Sequence, residues 1–249
     1  FSEVPELVNK PSVKKIWIGL EKVLLPKLKN CYTVCNSIAL YYNKKYASNF
    51  KVVRNLPLKK AKIIKGKLNI ETSGKKIILY QGSVNIGRGL ELMIDTMGFL
   101  HDYLFVIAGS GDIINDLKKS VKKRKLENRV HFLGRLSPEE LQKITPLANI
   151  GISIEEDLGL NYRYALPNKI FDYIQAEVPV LVSDLPEMKQ VIIDYKVGEI
   201  ITQRNSKALA NQIETMMLKD FTNKLRKAKE KLVWENEKQI LLEVFNSLQ

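Results

Sequence analysis

The sequence predicts an α/β protein built on a doubly wound parallel sheet with helices on both faces. From Lys76 onward, short runs rich in Ile, Val and Leu recur: KIILYQG, DYLFVIAG, NIGISI and VPVLVSD. A strand whose run of apolar residues is unbroken is covered on both faces, as in parallel sheets. Amphipathic helical stretches separate these runs, and strand–helix alternation implies βαβ units. The composition agrees, with 45% hydrophobic and 27% charged residues in 249, enough apolar material for a full core and too much for a disordered chain.

Each element follows in order. Residues 11–30 read as a basic amphipathic helix, because Ile16, Leu20, Val23 and Leu24 recur on one stripe while Lys14, Lys15 and Lys22 lie largely off it. Pro26 ends or kinks it. CYTVC then reads as a strand, SIALYYNKKY as a helix and KVVRNLP as a second strand, together a partial N-terminal α/β segment. Residues 58–75 are Lys-rich, without a clear period, and read as a linker or loosely packed connector. The regular part follows: strand 76–82, helix 89–100, strand 102–109, helix 113–125 and strand 129–134. A helix follows from Ser137, where Ser137, Pro138 and Glu140 form a capping box. Then come strand 149–154, a loop, helix 167–177, strand 178–184, helix 186–194, strand 198–202 and helix 206–218. The tail from Asp220 reads as an amphipathic helix with Trp234, Ile240, Leu241, Val244 and Leu248 on its stripe. The expected division is a partial domain at 1–58, a linker at 59–75, a Rossmann-like domain at 76–218 and a helical tail at 219–249. Any ligand is expected at the C-terminal edge of the strands.

Charge and cysteine content narrow the function. Residues 1–75 hold 16 basic and 4 acidic side chains, and residues 76–249 hold 24 and 23, so the net charge of +13 lies almost wholly in the first third. Such a balance raises nucleic acid, anionic membrane or phosphorylated ligands as partners. The Lys-rich segments lack the interleaved aromatics of a base-stacking surface, so no nucleic-acid partner is expected. No apolar run reaches the ~18–20 residues of a membrane span. The first residues, FSEVPELVNKP, are not a signal peptide and begin in mid-pattern, as a fragment of a longer chain would. Cys31 and Cys35 read as one strand's residues about 13 Å apart, too far for a disulfide, and as buried thiols of a reducing compartment. With only His101 and His131 present, no His-based metal site or catalytic triad is expected.

Three constellations could carry chemistry. QGSVNIGRGLE leaves the first strand of the regular part and enters a helix. Gly82, Gly87 and Gly89 let backbone N–H groups approach a ligand, and Arg88 could grip a diphosphate; an ordinary turn with a solvated Arg is the plainer alternative. In the second, Glu155, Glu156 and Asp157 end a strand, Gly159 and Leu160 follow, and Pro167 opens a helix that carries Asn168, Lys169 and Asp172. A carboxylate there can accept hydrogen bonds from vicinal hydroxyls and Lys169 can face a phosphate; solvated first-turn charges are the alternative. The third, GSGD at 109–112, reads as a tight turn with Asp112 as a helix cap. His131 reads as a strand residue and KKSVKKRK as a solvated helix face.

In register, the series YQGS, VIAGSGD, VHFLGRLSPEEL and LPNKIFDYIQAEVPVLVSDLPEM resembles the C-terminal, nucleotide-sugar-binding domain of the family 4 glycosyltransferases of the GT-B fold, over about residues 76–218. The resemblance implies the C-terminal half of a GT-B fold and sugar transfer from a nucleotide-sugar donor, with retention at the anomeric carbon and no bound metal or other cofactor. It implies that Gly82, Ser83, Gly87, Arg88 and Gly109 lie at the donor phosphates, with Ser83 where the family commonly has Arg. Gly134, Arg135 and Leu136 frame the base. Gly159, Leu160, Asn168 and Lys169 line the donor site, and Asp172 contacts the ribose. The family's first acid falls on Tyr164, so Glu156 or Asp157 stands in as the catalytic carboxylate, and Glu177 stands where the family often has Gly. The implied partners are the nucleotide-sugar donor and a glycan or lipid-linked acceptor, in polysaccharide or glycoconjugate biosynthesis. The implied place is the cytoplasm, with a peripheral membrane contact through residues 11–29. The competing readings are another GT-B enzyme such as a nucleotide-sugar epimerase, and a non-catalytic basic module on an anionic membrane.

Overall fold

The protein is described by a computed structural model covering residues 10–28, 30–59 and 62–246. The expectations for residues 1–9, for Lys29 and Lys60 in the basic segments and for Leu248 in the tail stripe fall outside the described residues.

The described part of the main sheet is six parallel strands: β3 (Lys76–Gln81), β4 (Tyr103–Ala108), β5 (Val130–Gly134), β6 (Ile150–Ser153), β7 (Val180–Val182) and β8 (Gly198–Ile200), ordered β5-β4-β3-β6-β7-β8. Their unbroken apolar runs conceal a period of two. Ile78, Tyr80, Phe105, Ile107, Ile150 and Ile152 face one core with α3 (Leu90–Thr96), α4 (Ile114–Lys123) and α9 (Ser206–Met216). Ile77, Leu79, Val106, Val180 and Val182 face the other core. There they meet α7 (Asn168–Gln175), α8 (Pro186–Tyr195) and α10 (Thr222–Lys231). The expected doubly wound α/β fold is the one observed. The chain winds outward from β3 to β5 and then returns to the other side of β3, so the loops after β3 and β6 diverge and open a crevice between them.

Before the sheet lie α1 (Pro11–Leu24), β1 (Cys31–Thr33), α2 (Asn36–Tyr46) and β2 (Phe50–Val52). Strands β1 and β2 pair in parallel, with Cys31 opposite Phe50. Helix α1 ends at Leu24 and Pro26 falls in a single tight 3-10 turn after it, as expected of a proline that ends or kinks the helix. Strand β1 stops at Thr33 and Cys35 caps α2, so the two cysteines do not share a strand as expected; both are buried free thiols. Burial pushes the Cys35 thiol up to about 11, which makes it unreactive. The apolar stripe of α1 is exposed, with Ile16 64% and Val23 57% accessible.

Three further differences have local causes. Helix α5 (Pro138–Ile144) has the expected capping box, but Asp112 does not cap α4: Ile113 holds the N-cap position without a side-chain bond, and Asp112 instead donates its N–H to Asn85. The loop after β6 contains a short helix, α6 (Leu160–Arg163). The tail is two helices, α10 and α11 (Trp234–Asn246), separated at Leu232 and Val233, whose side chains turn inward and are buried. Trp234 donates its N–H to the Pro57 carbonyl at 2.9 Å, and buried Glu237 accepts from the Arg54 N–H at 2.7 Å and its guanidinium at 2.5 and 3.0 Å. At the other end of this contact region, Ser37 donates its N–H to Glu187 at 2.6 Å and the Cys35 thiol donates to the Tyr164 carbonyl at 3.3 Å.

Candidate functional site

The site grows out of the close approach of α7 to the ends of β3 and β6. Gly151 makes it possible, because a Cβ there would collide with the Tyr173 ring. The Tyr173 hydroxyl donates to the Leu79 carbonyl at 3.0 Å and accepts from the Gln81 N–H at 3.1 Å, fixing α7 over the strand ends. Lys169 lies one turn earlier and Asp172 beside it, so both reach the crevice.

The turn after β3 closes the other side. Gly82 and Gly89 adopt positive φ, 131° and 72°, which suits glycine. The Tyr80 hydroxyl donates to the Ser83 carbonyl at 2.5 Å, shaping the turn, and Gly109 is bare because a Cβ would meet the Gly82 carbonyl. Gly87 has Leu158 and Tyr162 where its Cβ would be, and its carbonyl accepts from the Glu156 N–H at 2.8 Å. The two loops therefore support each other.

Between them lies a cavity of about 480 Å³ lined by Gly82, Ser83, Arg88, Asn168, Lys169 and Asp172, with Tyr80, Gln81, Leu141 and residues 165–167. Six of the residues expected at the site therefore share one cavity. Beside it is a larger one of about 1230 Å³, lined by Arg135 and Leu136 among others, with walls from α5 and from Lys62, Ile63 and Ile64. Gln81, Leu141 and Asp172 line both. Asp172 accepts from the Gln81 amide at 3.0 Å, and Gln81 in turn accepts from the Thr145 hydroxyl at 2.9 Å.

Other expected residues lie elsewhere. Gly87, Gly109, Gly134, Gly159 and Leu160 line neither cavity. Gly87 and Gly109 act through backbone packing. Gly134 ends β5 at φ 71°, and Gly159 precedes α6. Glu156 is half-buried beside Arg204, and exposed Asp157 is held by Arg163 at 2.7 and 2.9 Å; neither lines either cavity.

Two residues without an expected site role shape the site: Glu155, read from the sequence only as one of three strand-end acids, and Arg204, not singled out. Glu155 is fully buried, accepting from Lys169 at 2.9 Å and from the Ser153 hydroxyl at 2.8 Å, with Arg88 at 3.7 Å. Burial works against its charge, but Lys169 and Ser153 outweigh that and hold its carboxyl below the usual range. Its signal was strand parity: Gly151, Ser153 and Glu155 continue one face of β6, opposite Ile150, Ile152 and Ile154. Arg204 donates to the Glu155 carbonyl at 3.1 Å, the Ile154 carbonyl at 3.1 Å and Ser183 at 3.0 Å, pinning the end of β6. It lies almost fifty residues from that strand, and nothing local marks it.

Residues 62–232 match the family model of the glycosyl transferases group 1. The chain belongs to that family. Among curated proteins, this group 1 member is 26% identical over 149 residues to the alpha-D-kanosaminyltransferase of Streptomyces kanamyceticus, covering 57% of this chain and 36% of that protein. It is 24% identical over 173 residues to an uncharacterized glycosyltransferase of Methanocaldococcus jannaschii, covering 65% of this chain and 42% of that one. The chain therefore matches about two fifths of the length of these relatives. Among solved structures, it resembles the sucrose-phosphate synthase of Thermosynechococcus elongatus with a TM-score of 0.78 at 17% identity, covering 98% of this chain and 64% of that one. It resembles Anabaena HepE, solved in complex with UDP and glucose, with a TM-score of 0.77 at 14% identity, covering 98% and 69%. The fold is shared with these solved structures.

Proposed function

We propose that the chain carries the donor-binding part of a retaining, metal-independent glycosyltransferase of the family 4 type, which moves a sugar from a nucleotide-sugar donor to a glycan or lipid-linked acceptor. The observation that carries this reading is the pair of joined cavities at the strand-order switch. One holds two cations, Arg88 and Lys169; the other has a half-apolar wall; Asp172 stands at their junction. This order suits a diphosphate, a ribose and a base in turn. Family membership and the UDP bound by HepE support it.

The chemistry follows from charge. As the glycosidic bond breaks, the leaving nucleoside diphosphate gains negative charge. Fixed cations and backbone N–H groups already aimed at it stabilise that charge without reorganising. Arg88 and Lys169 provide the cations, and the N-terminus of α7 adds a favourable dipole. Asp172 accepts from ribose hydroxyls. Glu156 or Asp157, in the loop after β6, is the carboxylate assigned to the sugar end. Residues 1–58 belong to the acceptor-side portion, 59–75 to the connector and 219–249 to the helical tail that returns to it. The exposed stripe of α1, flanked by Lys14, Lys15 and Lys22, is the surface for a cytoplasmic membrane face that carries a lipid-linked acceptor. The pathway is polysaccharide or glycoconjugate assembly.

Calorimetry with a panel of nucleoside diphosphates tests the donor reading. Arg88→Ala is expected to weaken binding about tenfold or more, the scale of one charge-assisted contact. Asp172→Asn is expected to weaken nucleoside diphosphates but not pyrophosphate. Unchanged affinity in both variants would remove the site.

A further inference from the structure

Lys169 is an unusual diphosphate ligand. Its side chain is only 9% exposed, and its ammonium lies 4.0 Å from the centre of the Tyr80 ring. A lysine buried without a counter-charge tends to lose its proton, and a neutral amine attracts a diphosphate poorly. The charged or titratable groups facing the ammonium from other elements are Glu155 at the end of β6, Arg88 before α3 and Tyr80 on β3. Glu155 is the one anion among them. Its position is fixed twice over: Ser153 holds the second carboxylate oxygen, while Ser183 at 2.5 Å and Arg204 at 3.1 Å hold its backbone carbonyl. It lines neither cavity and has no exposed surface, so it is not placed to touch a ligand.

We infer that Glu155 is a positioning residue: it holds the Lys169 ammonium in place and charged at the floor of the small cavity, while Arg88, only loosely paired at 3.7 Å, keeps its charge free for the donor. The inference rests on the donor reading above and adds a residue that acts through another. Burial pulls the Lys169 pKa down, Glu155 pulls it back up and Arg88 again lowers it. Without the Glu155 charge, the lysine loses its proton at lower pH. Because diphosphate binding needs the protonated form, binding in such a variant is kept at low pH and lost as pH rises.

Two measurements on the full chain decide the matter. The first is lysine side-chain NMR of the ligand-free protein, with Lys169→Met assigning the signal. Lys169 is expected to lose its proton at lower pH in Glu155→Gln than in the unaltered protein; the same midpoint in both would overturn the inference. The second is calorimetry with uridine and guanosine diphosphates. Between about pH 7 and about pH 8.5 the unaltered protein is expected to change by less than about threefold and Glu155→Gln to weaken about tenfold. A purely structural role would instead weaken binding equally at both pH values. If Glu155→Gln does not fold, Glu155→Asp decides: it keeps the charge but draws it back, so affinity drops with the unaltered pH profile, and unchanged affinity overturns the inference. Failure of the unaltered protein to bind any nucleoside diphosphate would defeat the donor reading, while the NMR comparison would still judge the hold of Glu155 on Lys169.

Discussion

Residues 76–216 and residues 10–56 are both α/β, yet they are built on opposite terms. In the first, strands β3 and β4 have apolar side chains on both faces, and helices cover each. In the second, two three-residue parallel strands pair, among the described residues, only with each other, and the apolar stripe of α1 faces outward. A parallel pair that short is not a stable unit by itself. The difference teaches that the second region depends on what it touches. Within the described residues it is tied to the rest by Leu56, which enters the core on one face of the main sheet, and by polar contacts, chiefly Glu237 with Arg54 and Glu187 with the Ser37 N–H.

The contrast can be broken most forcefully by deleting one side chain from each region. Ile78→Ala, in the fully buried centre of β3, is expected to cost about 2–5 kcal/mol in chemical denaturation, whereas Ile16→Ala on α1 should fall within about 0.5 kcal/mol. Similar costs for both would mean that the α1 stripe is covered in solution. The joint comes next. Glu237→Ala leaves the Arg54 N–H and its half-buried guanidinium without their acceptor, for an expected loss of about 1–3 kcal/mol. Hydrogen exchange should quicken around residues 50–56 and stay slow in β3 and β4; uniform quickening would show one cooperative unit. The smallest effect sharpens the picture of the stable region. Glu177 sits at φ 57°, a left-handed conformation that favours glycine, compensated by pairs with Lys229 at 3.2 Å and Arg226 at 3.5 Å. Glu177→Gly is expected to raise stability by about 1 kcal/mol or less, and a clear loss would show that those ion pairs outweigh the strain.

Much of this was legible in the amino-acid order. The strands β3, β4, β6 and β7 announce themselves because two buried faces demand unbroken apolar runs, and the capping box at Ser137 is a local device with a local signature. Arg88, Lys169 and Asp172 could be placed because Arg88 lies on the turn leaving β3 and Lys169 and Asp172 lie on the first two turns of α7, near the strand ends where a doubly wound sheet gathers its ligand site. What stayed hidden depends on distance or on parity. Glu155, Glu156 and Asp157 look equivalent as letters; Glu155 continues the face of Gly151 and Ser153 inward to Lys169, whereas Asp157 lies beyond the end of β6 in the loop, outside with Arg163. Arg204 could not be found at all, since two of its main partners are the carbonyls of Ile154 and Glu155, which every sequence possesses, and the others, Ser183 and Glu156, lie far from it along the chain. The break between α10 and α11 escaped notice because Leu232 and Val233 satisfy a helical stripe equally well.

The two cavities share Gln81, Leu141 and Asp172 and no other lining residue among those described. On the proposed reading, this partition separates two kinds of inheritance. The walls that would meet the base come from α5 and from Lys62–Ile64, a stretch of coil with no strand or helix to preserve. The cations that would meet the phosphates are seated on the turn after β3 and on α7, next to the buried Glu155 that follows β6. A lineage can therefore exchange one nucleoside for another without having to rediscover how to hold a diphosphate.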